Sequence, residues 1–184
     1  MISLAKRLRE KDVDSSGSSS SSVRRRVSIR DQLLVKEVAE VEENLPLGSS
    51  ITFEDPNVLH EFLLSIRPEE GSFWEGGTFH FKISIGEDYN IVPPSVLCLT
   101  RLWHPNINEV GDVCLSILRQ NSLDGLGWAP TRRLKDVIWG LCSLFSDLLN
   151  FEDPLNSEAA EHYALNKEEF RVKVKEYVQK YAKR

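Results

Sequence analysis

Three cysteines, Cys98, Cys114 and Cys142, are the readiest nucleophiles in the chain, and Cys114 sits where one could work. It lies in a stretch with little regular periodicity: His104-Pro105-Asn106-Ile107, Gly111-Asp112-Val113-Cys114-Leu115, then Trp128-Ala129-Pro130-Thr131. A long irregular connection inside a compact domain is usually functional or disordered. The aromatic, proline and asparagine content here argues against disorder. A thiol in such a loop suits acyl transfer, because cysteine is the best unassisted nucleophile among the side chains. His104 precedes it by ten residues and would be the general base of a cysteine hydrolase, but the glycine-rich strand-to-helix elbow of hydrolases is missing. Cys98 falls in a strand pattern and Cys142 in a helical one, where a small buried hydrophobe is the default. Three widely spaced cysteines give neither a disulfide framework nor a zinc clip. No metal site and no cofactor is expected.

The elements that must hold this loop are readable on both sides. Ser28 and Asp31 have capping-box spacing, with Asp in place of Glu, and Leu34, Val38, Val41 and Leu45 recur at helical spacing before Pro46 and Gly48 close the helix. Thr78 to Ile85 alternates, with Phe79, Phe81, Ile83 and Ile85 on one face. Phe62–Ile66, Val96–Thr100 and Ile51–Phe53 are shorter strand signals, and turn clusters at Pro68–Gly71 and Gly76-Gly77 suit an antiparallel meander. Beyond the loop, Leu134, Ile138, Leu141, Phe145 and Leu148 form a helical stripe with Thr131 as its expected N-cap. A short helix is expected from Asn156 or Ser157, and a last one after Asn166. The order predicts an α+β domain: an N-terminal helix, a four-stranded antiparallel meander and C-terminal helices against one sheet face.

At 184 residues the chain suits one domain and a tail. Ser15 to Ser22 is almost pure serine, which cannot bury enough apolar surface to offset its ordering entropy. Residues 1–27 therefore form a flexible extension, and residues 28–184 the folded core. The basic runs Lys6–Lys11 and Arg24–Arg30 are expected to be solvated faces. A net charge of −5 gives no reason to expect nucleic acid or an anionic membrane as partner. No apolar run reaches the roughly 18–20 residues that span a bilayer, and the start lacks the apolar core of a secretory signal. Cytoplasm and nucleus are the expected location.

His104-Pro105-Asn106, Cys114 eight residues beyond the Asn, and Trp128-x-Pro130 together resemble the signature of the ubiquitin-conjugating enzyme (UBC) family. Tyr89 to Pro94 resembles the family's segment ending in Pro-Pro, and Glu152-Asp153-Pro154-Leu155 its Asp-Pro-Leu stretch. The resemblance covers roughly Ser28 to Arg184. One departure is the 13 residues from Leu115 to Gly127 between Cys114 and Trp128, about twice the usual number, expected as a surface loop. That insert and the apolar Met1–Leu4 terminus are similar to the branch that conjugates the Nedd-type ubiquitin-like modifier, in particular its second, cullin-directed enzyme.

The resemblance implies a UBC fold and a carrier chemistry. A heterodimeric activating enzyme loads the modifier's C-terminal glycine onto Cys114 as a thioester, and a RING-type ligase holds the charged enzyme while a lysine, on a cullin, attacks. An ordinary free thiol, with a pKa near about 8.5, keeps enough thiolate at neutral pH for exchange with a thioester held close. Asn106 would donate to the developing oxyanion or brace the loop; one such donor is typically worth about 10²–10³ in rate. Asp153 would orient the attacking lysine. His104 and Pro105 would hold the loop, Trp128 and Pro130 would pack beside it, and Ile91 and Ala129 would meet the ligase. Met1, Ile2 and Leu4 would enter a groove on the activating enzyme, and an acetylated Met1 a co-ligase pocket. The competing readings are a ubiquitin carrier of the same fold, the hydrolase, and a non-catalytic binding module.

Overall fold

The computed structural model describes residues 28–122, 125–146 and 154–183. Helix α1 spans Ile29–Glu43, and the Ser28 hydroxyl accepts the Asp31 N–H at its start. Leu34, Val38 and Val41 bury one face of it. Arg30 departs from the expected solvated run. It is 8% exposed, with its guanidinium on the Ile85 carbonyl and the Asp31 and Glu87 carboxylates, so its charge is compensated where the helix meets the end of a strand.

Strands β1 (Ser49–Thr52), β2 (Glu61–Ile66), β3 (Phe79–Ser84) and β4 (Ser95–Cys98) form an antiparallel meander in that order. Leu64 pairs with both Ile51 and Phe81, and Ile83 with Val96, which sets the apolar alternation of neighbouring strands on one face. Phe79, Phe81 and Ile83 are fully buried there.

Over that face lie the helices: α2 (Leu134–Ser143), α3 (Ser157–Leu165) and α4 (Lys167–Tyr177), the last continued by a wider turn at Val178–Ala182. Leu134, Val137, Ile138 and Leu141 of α2 and Phe170 and Val174 of α4 complete the core. Asn156 and Asn166 cap α3 and α4 through their side-chain oxygens. Helix α2 does not begin at Thr131. Its N-cap is Arg133, because its first free N–H groups find acceptors elsewhere. The Arg133 N–H donates to Asp136 at 2.9 Å, and the Leu134 N–H to Glu37 of α1 at 2.9 Å. The observed architecture is the expected α+β arrangement.

Candidate active site

Gly111 turns the chain after β4 back onto the sheet. Its φ is +95°, and any Cβ there would collide with the Cys98 carbonyl oxygen. The Cys98 N–H donates to the Gly111 carbonyl at 2.8 Å, and Ile107 and Val113 form an antiparallel bridge across the loop. The Cys114 N–H then donates to the Asn106 carbonyl at 2.8 Å. The structure thus brings Cys114 and Asn106 together as backbone neighbours. Cys114 is half-buried, whereas Asn106 is 1% exposed, so its carboxamide lies inside the loop.

His104 is fully buried beside the rings of Trp74 and Phe145. Its Nδ1 accepts the Asn106 N–H at 2.9 Å, which leaves Nε2 as the donor to the Leu144 carbonyl at 2.8 Å. Burial pulls its pKa down to about 4. A neutral ring with both nitrogens committed to backbone holds the loop and is not a general base. Pro105 is also buried, and its carbonyl accepts the Asn156 N–H at 2.9 Å, tying the loop to the start of α3.

Trp128 and Pro130 belong to a second set of contacts. The Trp128 indole N–H donates to the Asn90 carbonyl at 2.8 Å, and the Asn90 carboxamide donates to the Pro130 carbonyl at 2.6 Å. These reciprocal bonds lock the 89–94 loop to the 128–131 loop. Ile91, 74% exposed, stands on the first; half-buried Ala129 and exposed Pro130 stand on the second. Glu37 joins both to the core. Its carboxylate, on a side chain 8% exposed, accepts the Tyr89 hydroxyl at 2.6 Å as well as the Leu134 N–H. Burial and that carboxylate push the Tyr89 phenol upward, so it remains a donor.

Sequence reasoning gave Glu37 no role, since an acid in a helix is ordinarily solvated. Its only signal is its place in the apolar stripe, beside Val38 and three residues after Leu34.

The insert is less loop-like than expected. Ser116–Leu118 forms one turn of 3₁₀-helix, and Ile117 enters the core. The Trp128 N–H returns to the Arg119 carbonyl at 2.8 Å, and Arg132 donates to the carbonyls of Gly127 and Leu126. Among the described residues of the insert, Gln120, Asn121, Gly125 and Leu126 are exposed.

The other two thiols are unfit for catalysis at neutral pH, since burial pushes Cys98 and Cys142 each up to about 12. Asp153 and the tail residues Met1, Ile2 and Leu4 lie outside the described residues. Among the described residues no group of three His, Cys, Asp or Glu side chains could hold a metal ion, and no helix is long and apolar enough to cross a membrane.

The family profile described as ubiquitin-conjugating enzyme matches residues 33–178. The chain belongs to the ubiquitin-conjugating enzyme family. It is therefore a transferase, with the UBC fold described above. A protein of Xenopus tropicalis named NEDD8-conjugating enzyme UBE2F is 58% identical over 186 residues, covering 100% of both chains. The Homo sapiens protein of the same name is 55% identical with the same coverage. NEDD8-conjugating enzyme ubc-12 of Caenorhabditis elegans is 48% identical over 160 residues, covering 85% of this chain and 88% of its own. In this ubiquitin-conjugating enzyme the matched span includes the whole loop from His104 to Thr131 and the α1 residue Glu37 that braces it.

Proposed function

We propose that this enzyme accepts a NEDD8-type modifier as a thioester on Cys114 and transfers it to a lysine, on a cullin, in company with a RING-type ligase. The observation that carries the reading is the pinned loop: one half-buried thiol hydrogen-bonded through its backbone to Asn106, with the other two thiols protonated by burial. Full-length relatives that are named NEDD8-conjugating enzymes support the choice of modifier.

In the first step the Cys114 thiolate attacks the carbonyl carbon of the activating enzyme's thioester. A new S–C bond forms, and the activating enzyme's sulfur leaves as thiolate. In the second step a lysine amine attacks the same carbon, the isopeptide bond forms, and Cys114 Sγ departs. Asn106 keeps the loop in shape and, turned outward, would donate to the transient oxyanion. Asp153 takes the role of orienting the amine and helping it shed its proton.

Ile91, Ala129 and Pro130, on the two interlocked loops, supply the ligase face. Met1, Ile2 and Leu4 dock on the activating enzyme, where residues 1–27 act as a tether that raises local concentration. An acetylated Met1 serves a co-ligase, and the enzyme works in cytoplasm and nucleus.

The test is charging. The protein is incubated with ATP and either the NEDD8 or the ubiquitin activating system, then run on non-reducing gels. A reducible adduct formed with the NEDD8 system and lost in Cys114→Ala is the expected result. An adduct with ubiquitin alone, or one surviving Cys114→Ala, overturns the reading. Deleting residues 1–22 slows charging; unchanged kinetics remove the docking role of the tail.

A further inference from the structure

We infer that in the free enzyme the apolar and basic residues 1–9 dock on the chain's own core, in a groove between the α1–β1 turn, the β2–β3 loop and α2. The inference does not depend on the thioester reading of Cys114. The groove has a volume of about 560 Å³, and Pro46, Leu47, Pro68 and Trp139 are among its lining residues. Its walls are fixed to one another. The Arg67 N–H donates to the Gly48 carbonyl at 2.9 Å, and the Ser72 hydroxyl donates to the Phe145 carbonyl at 2.7 Å. Leu47, 86% exposed, and Trp139, 56% exposed, leave apolar surface to solvent on two of the walls. Either side chain alone would need no explanation, but two in one concave lining form a patch.

The charge around the patch selects the occupant. Glu69 and Glu70 line the groove, are exposed, and have no ion-pair partner among the described residues. The last turn of α1, just ahead of Pro46, carries Glu40, Glu42 and Glu43 and no basic residue. Of these, Glu40 is paired with Arg133 and Lys135. A helix C-terminus already carries partial negative charge and favours cations, so this end of the fold is short of them. Arg67 is the one cation in the groove lining. Residues 1–9 supply what is lacking: Met1, Ile2, Leu4 and Leu8 are apolar, Lys6, Arg7 and Arg9 are basic, and none is acidic.

The reach is right as well. The groove lies past the C-terminal end of α1, whose 15 residues rise about 22 Å from its start. Residues 10–27 connect the docking segment to that start, and a serine-rich chain of this length has an r.m.s. span of about 23 Å. A tether whose span matches the distance gives the highest effective concentration, on the order of 1 mM. A seat with a Kd of about 0.2 mM would then be filled most of the time. The docked segment covers Trp139 and must leave before another protein takes either the tail or that face of α2.

The experiment uses the full-length enzyme and trace trypsin under native conditions. Mass spectrometry compares initial cleavage at Lys6, Arg7 and Arg9 with cleavage at Arg24, Arg25 and Arg26 of the same chain. The double variant Ile2→Ser/Leu4→Ser should raise that ratio by about threefold to tenfold, and Leu47→Ser should do the same. Glu69→Gln/Glu70→Gln should raise it by about threefold, the range of exposed ion pairs. The groove positions changed are exposed, and a thermal melt checks that each variant is folded. A ratio that no variant moves overturns the inference. So does a ratio moved by the tail variant and by neither groove variant, which would seat the tail elsewhere. A ratio that falls as protein concentration rises assigns the groove to the tail of a second copy and overturns the intramolecular seat.

Discussion

Replacing His104 by glutamine separates a structural imidazole from a catalytic one, and its signature is pH. In the folded protein burial holds the ring neutral down to about pH 4, while an unfolded histidine takes a proton near 6.5. Between those values the unfolded chain binds more protons, so stability is complete above pH 6.5 and is lost as the pH falls toward 4. Each tenfold difference in proton affinity is worth about 1.4 kcal/mol, and the part realised between pH 8 and pH 5 is about 2 kcal/mol. Glutamine removes the titration. It can keep the bond to the Leu144 carbonyl or the acceptor for the Asn106 N–H, but not both, at a cost of about 1–3 kcal/mol at pH 8.

Urea unfolding of wild type and His104→Gln at pH 8 and pH 5, read by tryptophan fluorescence, checks this. The variant should be the weaker protein at pH 8, and the gap should shrink by about 2 kcal/mol at pH 5. A gap of the same size at both pH values refutes the buried neutral ring. Loss of all thioester formation in a folded His104→Gln would refute its purely structural role.

The other predictions follow from the same contacts. Glu37→Ala strands the Tyr89 hydroxyl and the Leu134 N–H and should cost about 2–4 kcal/mol by chemical denaturation, whereas Glu37→Gln keeps an acceptor for both and should cost less than about 1.5 kcal/mol. Gly111→Ala forces a side chain at φ +95° against the Cys98 carbonyl and should lower stability by about 2–4 kcal/mol, with slower charging of Cys114. Iodoacetamide at pH 7.5 should alkylate Cys114 first, and mass mapping should find Cys98 and Cys142 unmodified until the protein is unfolded.

Features carried by local chemistry were legible in the sequence. The Ser28, Asn156 and Asn166 caps and the alternation through Phe79, Phe81 and Ile83 depend on neighbours within a few positions, and each stands where its pattern puts it. Misjudged features depend on partners far along the chain. Thr131 has the right chemistry for an N-cap, but Glu37, 97 residues from Leu134, meets the helix start first. Arg30 reads as a solvated charge until the Ile85 carbonyl and Glu87 close over it. Ile117 looks like part of a loop until the 3₁₀ turn directs it into the core. In the site, the nearness of Cys114 to Asn106 came from family resemblance, since spacing alone does not say that residues 106 and 114 meet across a turn. The turn itself rests on Gly111.

On the proposed function, the same geometry explains why the thiol would serve as a carrier and not as a hydrolase nucleophile. A hydrolase needs a base near the sulfur to activate both the nucleophile and, later, water. Here the only histidine between β4 and α2 points both nitrogens at backbone, one to the Asn106 N–H and one to the Leu144 carbonyl. Burial keeps it neutral, and the Trp74 ring packs against it with centroids 4.6 Å apart. On the proposed function, an acyl group on Cys114 would be spared a histidine-activated water and would wait for an amine brought by another protein. The loop is held by backbone hydrogen bonds, so Cys114 keeps its position in the absence of that partner. In that proposed reaction, binding energy from the ligase and the substrate would go into placing the amine, the part this chain would leave to others.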